Sequence, residues 1–99
     1  MEGENVVRDN KQGRRFELPL EGGQTAFIAY EEAGEGVLVL THTEVPADFE
    51  GKGVGARLVK GAFDILRERN VKMAPACPFI STYLRRHPEY QPLAAPAPE

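Results

Sequence analysis

Three places along this chain carry residues whose types and spacing could support chemistry. Residues 50–56, EGKGVGA, place three glycines within five positions at the start of a helical pattern. Cys77 is the only cysteine and directly precedes Pro78, and Glu44 lies near the end of a β-branched run. A glycine turn before a helix can bind phosphate through its N–H groups, a thiol can act as a nucleophile, and a carboxylate can act as a base.

Cys77 has two interpretations. If Pro78 is the first helical residue, the thiol lies at the N-cap, where the positive end of the helix dipole favours its thiolate. That position favours a nucleophile that accepts an acyl group and passes it on. The alternative is a buried cysteine that only packs at the end of a strand.

Hydrophobic periodicity predicts the strands that position these residues. Residues 14–20 and 25–32 show the alternation of two strands joined as a hairpin. Residues 36–45 form a third strand, whose nearly continuous aliphatic run predicts a central place in the sheet. Pro46 ends that strand because it has no N–H for the ladder.

Two helices and a fourth strand complete the pattern. Apolar residues recur at helical spacing from Val54 to about Arg69, and Asn70 is a left-handed cap. Residues 71–75 form the fourth strand, parallel to the third because strand–helix–strand crossovers are right-handed. A last helix begins at Pro78. The predicted fold is therefore α/β with a mixed sheet, in the order β-β-β-α-β-α.

Length and composition set the class of protein. The 99 residues form one domain over residues 13–93, with a flexible N-terminus at 1–12 and a disordered tail at 94–99. A net charge of −3 argues against general nucleic-acid binding. One cysteine excludes an internal disulfide, and no side-chain cluster has metal-site spacing. Without an apolar span or signal peptide, we expect a cytoplasmic monomer with no membrane partner.

Three phosphate-bearing ligand classes compete for the glycine turn. A nucleotide P-loop requires a lysine followed by Ser or Thr, which this stretch lacks. A dinucleotide fingerprint matches nominally through Gly51, Gly53 and Ala56, but residues 46–50 separate it from its strand and the expected acidic residue is missing. Coenzyme A is the third class, with a pyrophosphate for the turn and an extended pantetheine arm.

Four segments taken in order, HTEVP, EGKGVG, KMAPACPF and HPEY, resemble the GNAT acetyltransferases and, more closely, a miniature GNAT-like subfamily. Gly53 and Gly55 match the family's [QR]-x-x-G-x-[GA] loop, whereas Glu50 stands where Gln or Arg is usual. The resemblance covers about residues 14–93. It implies acetyl-CoA as co-substrate, an amine or protein acceptor, and a third strand that splays from the fourth.

The resemblance also implies roles for individual residues. The cysteine of the subfamily at the place of Cys77 is proposed to carry the acetyl group, Glu44 resembles a carboxylate base, and Tyr83 lies near the family's tyrosine acid. The cofactor-binding positions that it implies are Thr43, Glu44, Val45, Gly51, Lys52, Gly53, Val54, Gly55 and Ala56.

The sequence leaves several functions open. The chain is an N-acetyltransferase that works through an acetyl-cysteine or by direct transfer assisted by Glu44, or it is a non-catalytic CoA-binding module or sensor. A phosphate-binding interaction domain without CoA preference is a third possibility. His42 and His87 are interpreted as structural, with a hydrogen bond within the third strand and a cap on the last helix.

Overall fold

The computed structural model describes residues 6–34 and 36–95. Its elements are, in chain order, strands β1 (Arg8–Asn10), β2 (Arg15–Pro19), β3 (Thr25–Glu32) and β4 (Val37–Glu44), helix α1 (Val54–Arg69), strand β5 (Lys72–Pro75) and helix α2 (Pro78–Arg86). Short 3-10 turns lie at Glu21–Gly23, Ala47–Phe49 and Pro88–Leu93. The mixed α/β class is confirmed, and β1 is added in front of the predicted order.

The five strands lie side by side in chain order. Strands β1 to β4 are antiparallel neighbours, and β5 pairs in parallel with β4 after the crossover through α1. Strand β4 is therefore hydrogen-bonded on both sides, as its aliphatic run predicts. Helix α1 connects the two parallel strands, β4 and β5. The site described below begins where the pairing of β4 with β5 ends.

Both helices pack against one face of the sheet. Along β2 and β3 every second residue is buried, including Phe16, Leu18 and Ile28. These residues join the apolar sides of α1 and α2, among them Phe63 and Ile80, in one core cluster. The alternate residues of β2 and β3 are half-buried or exposed. The second face of the sheet is therefore open.

Helix α1 has the boundaries that its sequence predicts. It begins after Gly53, which has a left-handed φ of 79°, and ends before Asn70, with a φ of 62°. The Asn70 N–H bonds the carbonyls of Leu66 and Arg67, which closes the last turn. Within residues 6–34 and 36–95, no helix is long and apolar enough to cross a membrane.

Strand β1 lies within the segment 1–12 for which the sequence predicts flexibility, and residues 1–5 are outside the described ranges. Asp9 in this strand has a side chain that is only 3% exposed. Its carboxylate accepts hydrogen bonds from the Tyr30 hydroxyl at 2.6 Å and from Arg69 at 2.7 Å. These distant partners order the segment, and its own polar sequence has no strand periodicity that would reveal them.

The C-terminal segment adds a second contact that composition does not predict. The sequence predicts a disordered tail at residues 94–99. Ala94 nevertheless forms a parallel β-bridge with Met73 of β5, and the Ala95 N–H donates to the Met73 carbonyl at 2.8 Å. Residues 96–99 lie outside the described ranges. The chain after α2 therefore pairs along the outer edge of β5.

Gly61→Ala is expected to detach β1 while leaving the rest of the domain folded. A Cβ at Gly61 would clash with the side chain of Val7, next to β1. Alanine has a helix propensity about 1 kcal/mol more favourable than glycine, which offsets part of the stability that the clash costs the whole domain. Hydrogen exchange should show lost protection at Arg8–Asn10. Val7→Gly in the same chain should restore it, since it removes the Cβ of residue 7 as well as its methyl groups, and unchanged protection in Gly61→Ala alone would contradict the expectation.

Candidate active site

Strands β4 and β5 separate at the end where the site lies. Their pairing ends at Leu40 and Pro75, with one more hydrogen bond of 3.0 Å from the Ala76 N–H to the Leu40 carbonyl. A register shift against β3 makes Thr41 an extra residue, a β-bulge that bends the strand. From His42 to Glu44, β4 pairs with β3 alone in the described chain. Its other edge presents backbone donors and acceptors to a ligand.

A cleft of about 540 Å³ opens beside this separated edge. Its walls are the end of β4 at Thr43 and Val45, the 3-10 turn at Phe49, the glycine turn, the start of α1, and one side of α2. A volume of this size with mixed apolar and polar walls is typical of a site for a small molecule or cofactor. The cleft therefore joins the glycine turn to the end of β4 and to one side of α2.

The glycines of the turn serve two different purposes. Gly51 and Gly53 have left-handed φ values of 78° and 79°, which residues with a Cβ rarely adopt. The third, Gly55, is helical, and its missing side chain leaves room for the ring of Phe79. Since Gly53 is the N-cap of α1, the N–H groups of the first helical turn have no acceptors within the helix. The turn therefore presents to the cleft a helix start with unpaired N–H groups, a feature that suits anions.

Most of the residues predicted to bind the cofactor line this cleft, and two do not. Thr43, Val45, Gly51, Gly53, Val54, Gly55 and Ala56 all line its wall. Lys52 is exposed outside the wall, and Glu44 is also outside it. The backbone positions that the sequence predicts therefore come together, whereas two of the charged side chains do not.

Cys77 is the N-cap of α2, and Pro78 is the first helical residue, as the sequence predicts. The thiol is nearly buried, with 8% of the residue exposed, and its Sγ lies 3.5 Å from the Thr43 Oγ1. Burial raises the pKa of the Cys77 thiol, but hydrogen bonds from Thr43 and from the N–H groups of Phe79 and Ile80 outweigh it and lower the pKa overall. Cys77 therefore ionises more readily than an ordinary cysteine, and its thiol lies directly behind Thr43 of the cleft wall.

Tyr83 faces the same cleft from α2. The hydroxyls of Tyr30 and Tyr90 donate to Asp9 and Asp64, whereas no such bond joins the Tyr83 hydroxyl to another described residue. Burial raises the pKa of Tyr83, so its hydroxyl keeps its proton at neutral pH. Tyr83 therefore contributes a protonated phenol side chain to the wall of the cleft.

The imidazole ring of His87 stacks on the ring of Tyr83, with the ring centroids 3.9 Å apart and the ring planes 16° from parallel. Its Nδ1–H donates to the Tyr83 carbonyl at 3.0 Å, and its backbone N–H caps α2 by bonding the Leu84 carbonyl. His87 thus has the capping role that the sequence predicts and, in addition, lines the cleft. It supports one side of the Tyr83 ring.

Glu44 lies apart from Cys77 and Tyr83. In the β3–β4 register Glu44 is opposite Phe27, whereas Thr43 is opposite the buried Ile28, so the two side chains point to different faces of the sheet. The Glu44 carboxylate is exposed and lies 3.0 Å from the His42 Nε2. Glu44 and His42 therefore form a pair on the open face.

Several wall residues carry no motif and were not predicted from the sequence. Phe79, Thr82 and Arg86 line the cleft along α2, and Phe49 lines it from the 3-10 turn. Their spacing along α2 places the first three on the side of Tyr83, which was the available signal. Among the described residues, no group of three or more His, Cys, Asp and Glu is arranged to hold a metal ion.

Comparisons with known proteins agree with this geometry. A sequence model described as GCN5-related N-acetyl-transferase matches residues 15–93. Protein NATD1 of Mus musculus is 34% identical over 83 residues, covering 83% of this chain and 76% of that protein. Protein NATD1 of Danio rerio is 32% identical over 87 residues, covering 85% and 79%.

A solved structure has the same fold. The solution structure of a GCN5-like protein from Staphylococcus aureus superposes with a TM-score of 0.70. It is 24% identical, and the superposition covers 97% of this chain and 93% of that one. The resemblance found in the four sequence segments is confirmed by the matched residues 15–93 and by the fold. The chain belongs to the GCN5-related N-acetyltransferase family.

Proposed function

We propose that this protein binds acetyl-CoA in the cleft and transfers the acetyl group to an amine. The observation that carries the proposal is the junction of the separated β4 edge, the glycine turn and the Thr43–Cys77 contact in one cleft. The pyrophosphate would bind the first N–H groups of α1, and the pantetheine amides would pair with the free edge of β4. The acetyl group would then lie near Cys77.

The transfer would proceed in two steps. The Cys77 thiolate attacks the thioester carbonyl and forms a new C–S bond, and the bond to the CoA sulfur breaks. The departing CoA thiolate takes the proton of the Tyr83 hydroxyl. A neutral amine then attacks the acetyl-cysteine, transfers its extra proton to the Tyr83 phenolate, and releases the Cys77 thiolate. Each group is back in its starting state after one turnover.

Calorimetric titration with CoA tests the cofactor part of the proposal. We expect saturable binding of one CoA per chain that inorganic pyrophosphate competes with only weakly, because pyrophosphate lacks the pantetheine arm. Equal competition by pyrophosphate and CoA at matched concentrations would support a phosphate-binding domain instead. Absence of any CoA binding would overturn the proposed function.

Thr43→Val is expected to raise the pH at which Cys77 becomes reactive. The substitution keeps the shape of the side chain but removes the hydroxyl that can donate to the thiolate. Loss of a hydrogen bond to a charged group should move the midpoint of the alkylation rate by iodoacetamide upward by about one pH unit. Thr43→Ser is the matched control and should keep the wild-type midpoint. Coincident profiles for Thr43→Val and the wild type would contradict this role.

A second route follows from the Glu44–His42 pair on the open face. An amine that approached through the gap between β4 and β5 from that face would meet the Glu44 carboxylate as its base. Cys77 would then have no covalent role. A module that binds CoA without turnover is the remaining alternative, and the Cys77 and Glu44 variants described in the Discussion separate these routes.

A further inference from the structure

Phe79 is exposed in a way that the fold does not require. It is 44% exposed, and the only other large hydrophobic residue of the described chain with comparable exposure is Val6. Phe79 is on the first turn of α2, outside the core cluster, and lines the cleft. Exposed apolar surface inside a cleft is typical of a ligand contact.

The ring of Phe79 is held in place by the glycine turn. A Cβ on Gly55 would lie 2.6 Å from the Phe79 Cζ, so the ring rests directly on the backbone of α1. The backbone conformation of Gly55 does not require a glycine, because its φ is helical and any residue could adopt it. The close approach of an apolar ring to this helix start therefore explains why a glycine stands there.

The position of Phe79 in the cleft indicates which part of a bound acyl-CoA it would contact. The ring lies between the first turn of α1, where the pyrophosphate would bind, and Cys77, two residues before it at the start of α2. The chemical group that spans the distance from pyrophosphate to thioester is the pantetheine arm, which presents an apolar dimethyl carbon and methylene groups.

We propose that Phe79, seated on Gly55, is a specificity-determining wall that packs against the pantetheine arm of acyl-CoA. This inference rests on the proposed function and adds to it the residue that distinguishes CoA from nucleotides with the same phosphates. The ring covers apolar carbon that would otherwise remain in water, and nucleotide ligands without the arm make no such contact.

Calorimetry with two ligands tests this assignment. Phe79→Ala should weaken CoA binding about tenfold, because it removes a partly buried aromatic contact. It should leave the Kd of 3′-phosphoadenosine 5′-diphosphate, which has the phosphates of CoA but no pantetheine, within about twofold of the wild type. Val6→Ala is the matched control, since it removes the other exposed hydrophobic side chain and lies outside the cleft. It should change neither Kd.

The outcomes are distinct. An unchanged or tighter Kd of Phe79→Ala for CoA would overturn the inference while the proposed function stands. An equal loss for both ligands would place the ring against the nucleotide and would also overturn it. If the wild-type protein did not bind CoA, the proposed function would fail and this inference with it. Phe79 is outside the core, so the variant should fold, and its thermal midpoint checks this directly.

Discussion

Cys77→Ala is expected to reduce acetyl transfer to an amine by roughly 100-fold or more, because it removes the nucleophile of the first step. CoA affinity should change little, since the pyrophosphate and the pantetheine arm make most of the proposed contacts and the nearly buried thiol adds little contact area. The measurement is the initial rate of formation of acetylated amine, followed by chromatography. Calorimetry on the same preparation gives the CoA affinity.

Two further variants make this result specific. Cys77→Ser keeps the size of the side chain but replaces the thiolate by a weak nucleophile, and it should be as slow as Cys77→Ala. Glu44→Gln, on the open face, should keep most of the activity. If Glu44→Gln abolished transfer while Cys77→Ala kept it, direct transfer assisted by the carboxylate would replace the acetyl-cysteine route.

Phe63→Ala is expected to lower the free energy of unfolding by about 3–5 kcal/mol. Phe63 is fully buried in α1, and its ring packs edge-on against Tyr83 at 5.7 Å and Tyr90 at 5.2 Å. The cavity left by the ring would loosen the contact between α1 and α2 that positions Tyr83. For a small domain this is a large part of the total stability, so urea unfolding should show a strongly reduced midpoint.

Phe27→Ala is the matched control for this effect. Phe27 is the same residue type, but it lies half-buried on the open face of the sheet, where an arginine guanidinium covers it. Its removal exposes a surface contact and leaves no enclosed cavity, so the loss should be about 1 kcal/mol. Equal losses for Phe27→Ala and Phe63→Ala would contradict a core confined to one face.

The central elements of the fold could be predicted because local rules agree there. The apolar spacing between Gly53 and Asn70 predicts α1 with its observed ends, since both flanking residues adopt the left-handed conformation. Cys77 at the N-cap follows from Pro78, whose ring suits the first helical position. The parallel pairing of β5 follows from the helical crossover through α1, which returns the chain to the end of the sheet where β4 began.

Features that depend on contacts between distant residues could not be predicted. Strand β1 is ordered by the bonds of Asp9 to residues of β3 and α1, and no periodicity in its sequence encodes them. The contact between Thr43 and Cys77 joins residues 34 positions apart. Thr43 and Glu44 necessarily point to opposite faces, but only the register of β4 decides which one meets the cleft. The role proposed for Phe79 likewise depends on its contact with Gly55, a residue 24 positions earlier in the chain.

The central claim is that Cys77 carries an acetyl group taken from acetyl-CoA. Intact-mass measurement after mixing the protein with acetyl-CoA tests it most directly, with Cys77→Ala treated in parallel. The account predicts the gain of one acetyl group by the wild type alone, and its loss when an amine is added. An unmodified wild-type mass, in a preparation for which calorimetry shows CoA binding, would contradict the acetyl-cysteine route. An acetyl group on both proteins would contradict it as well.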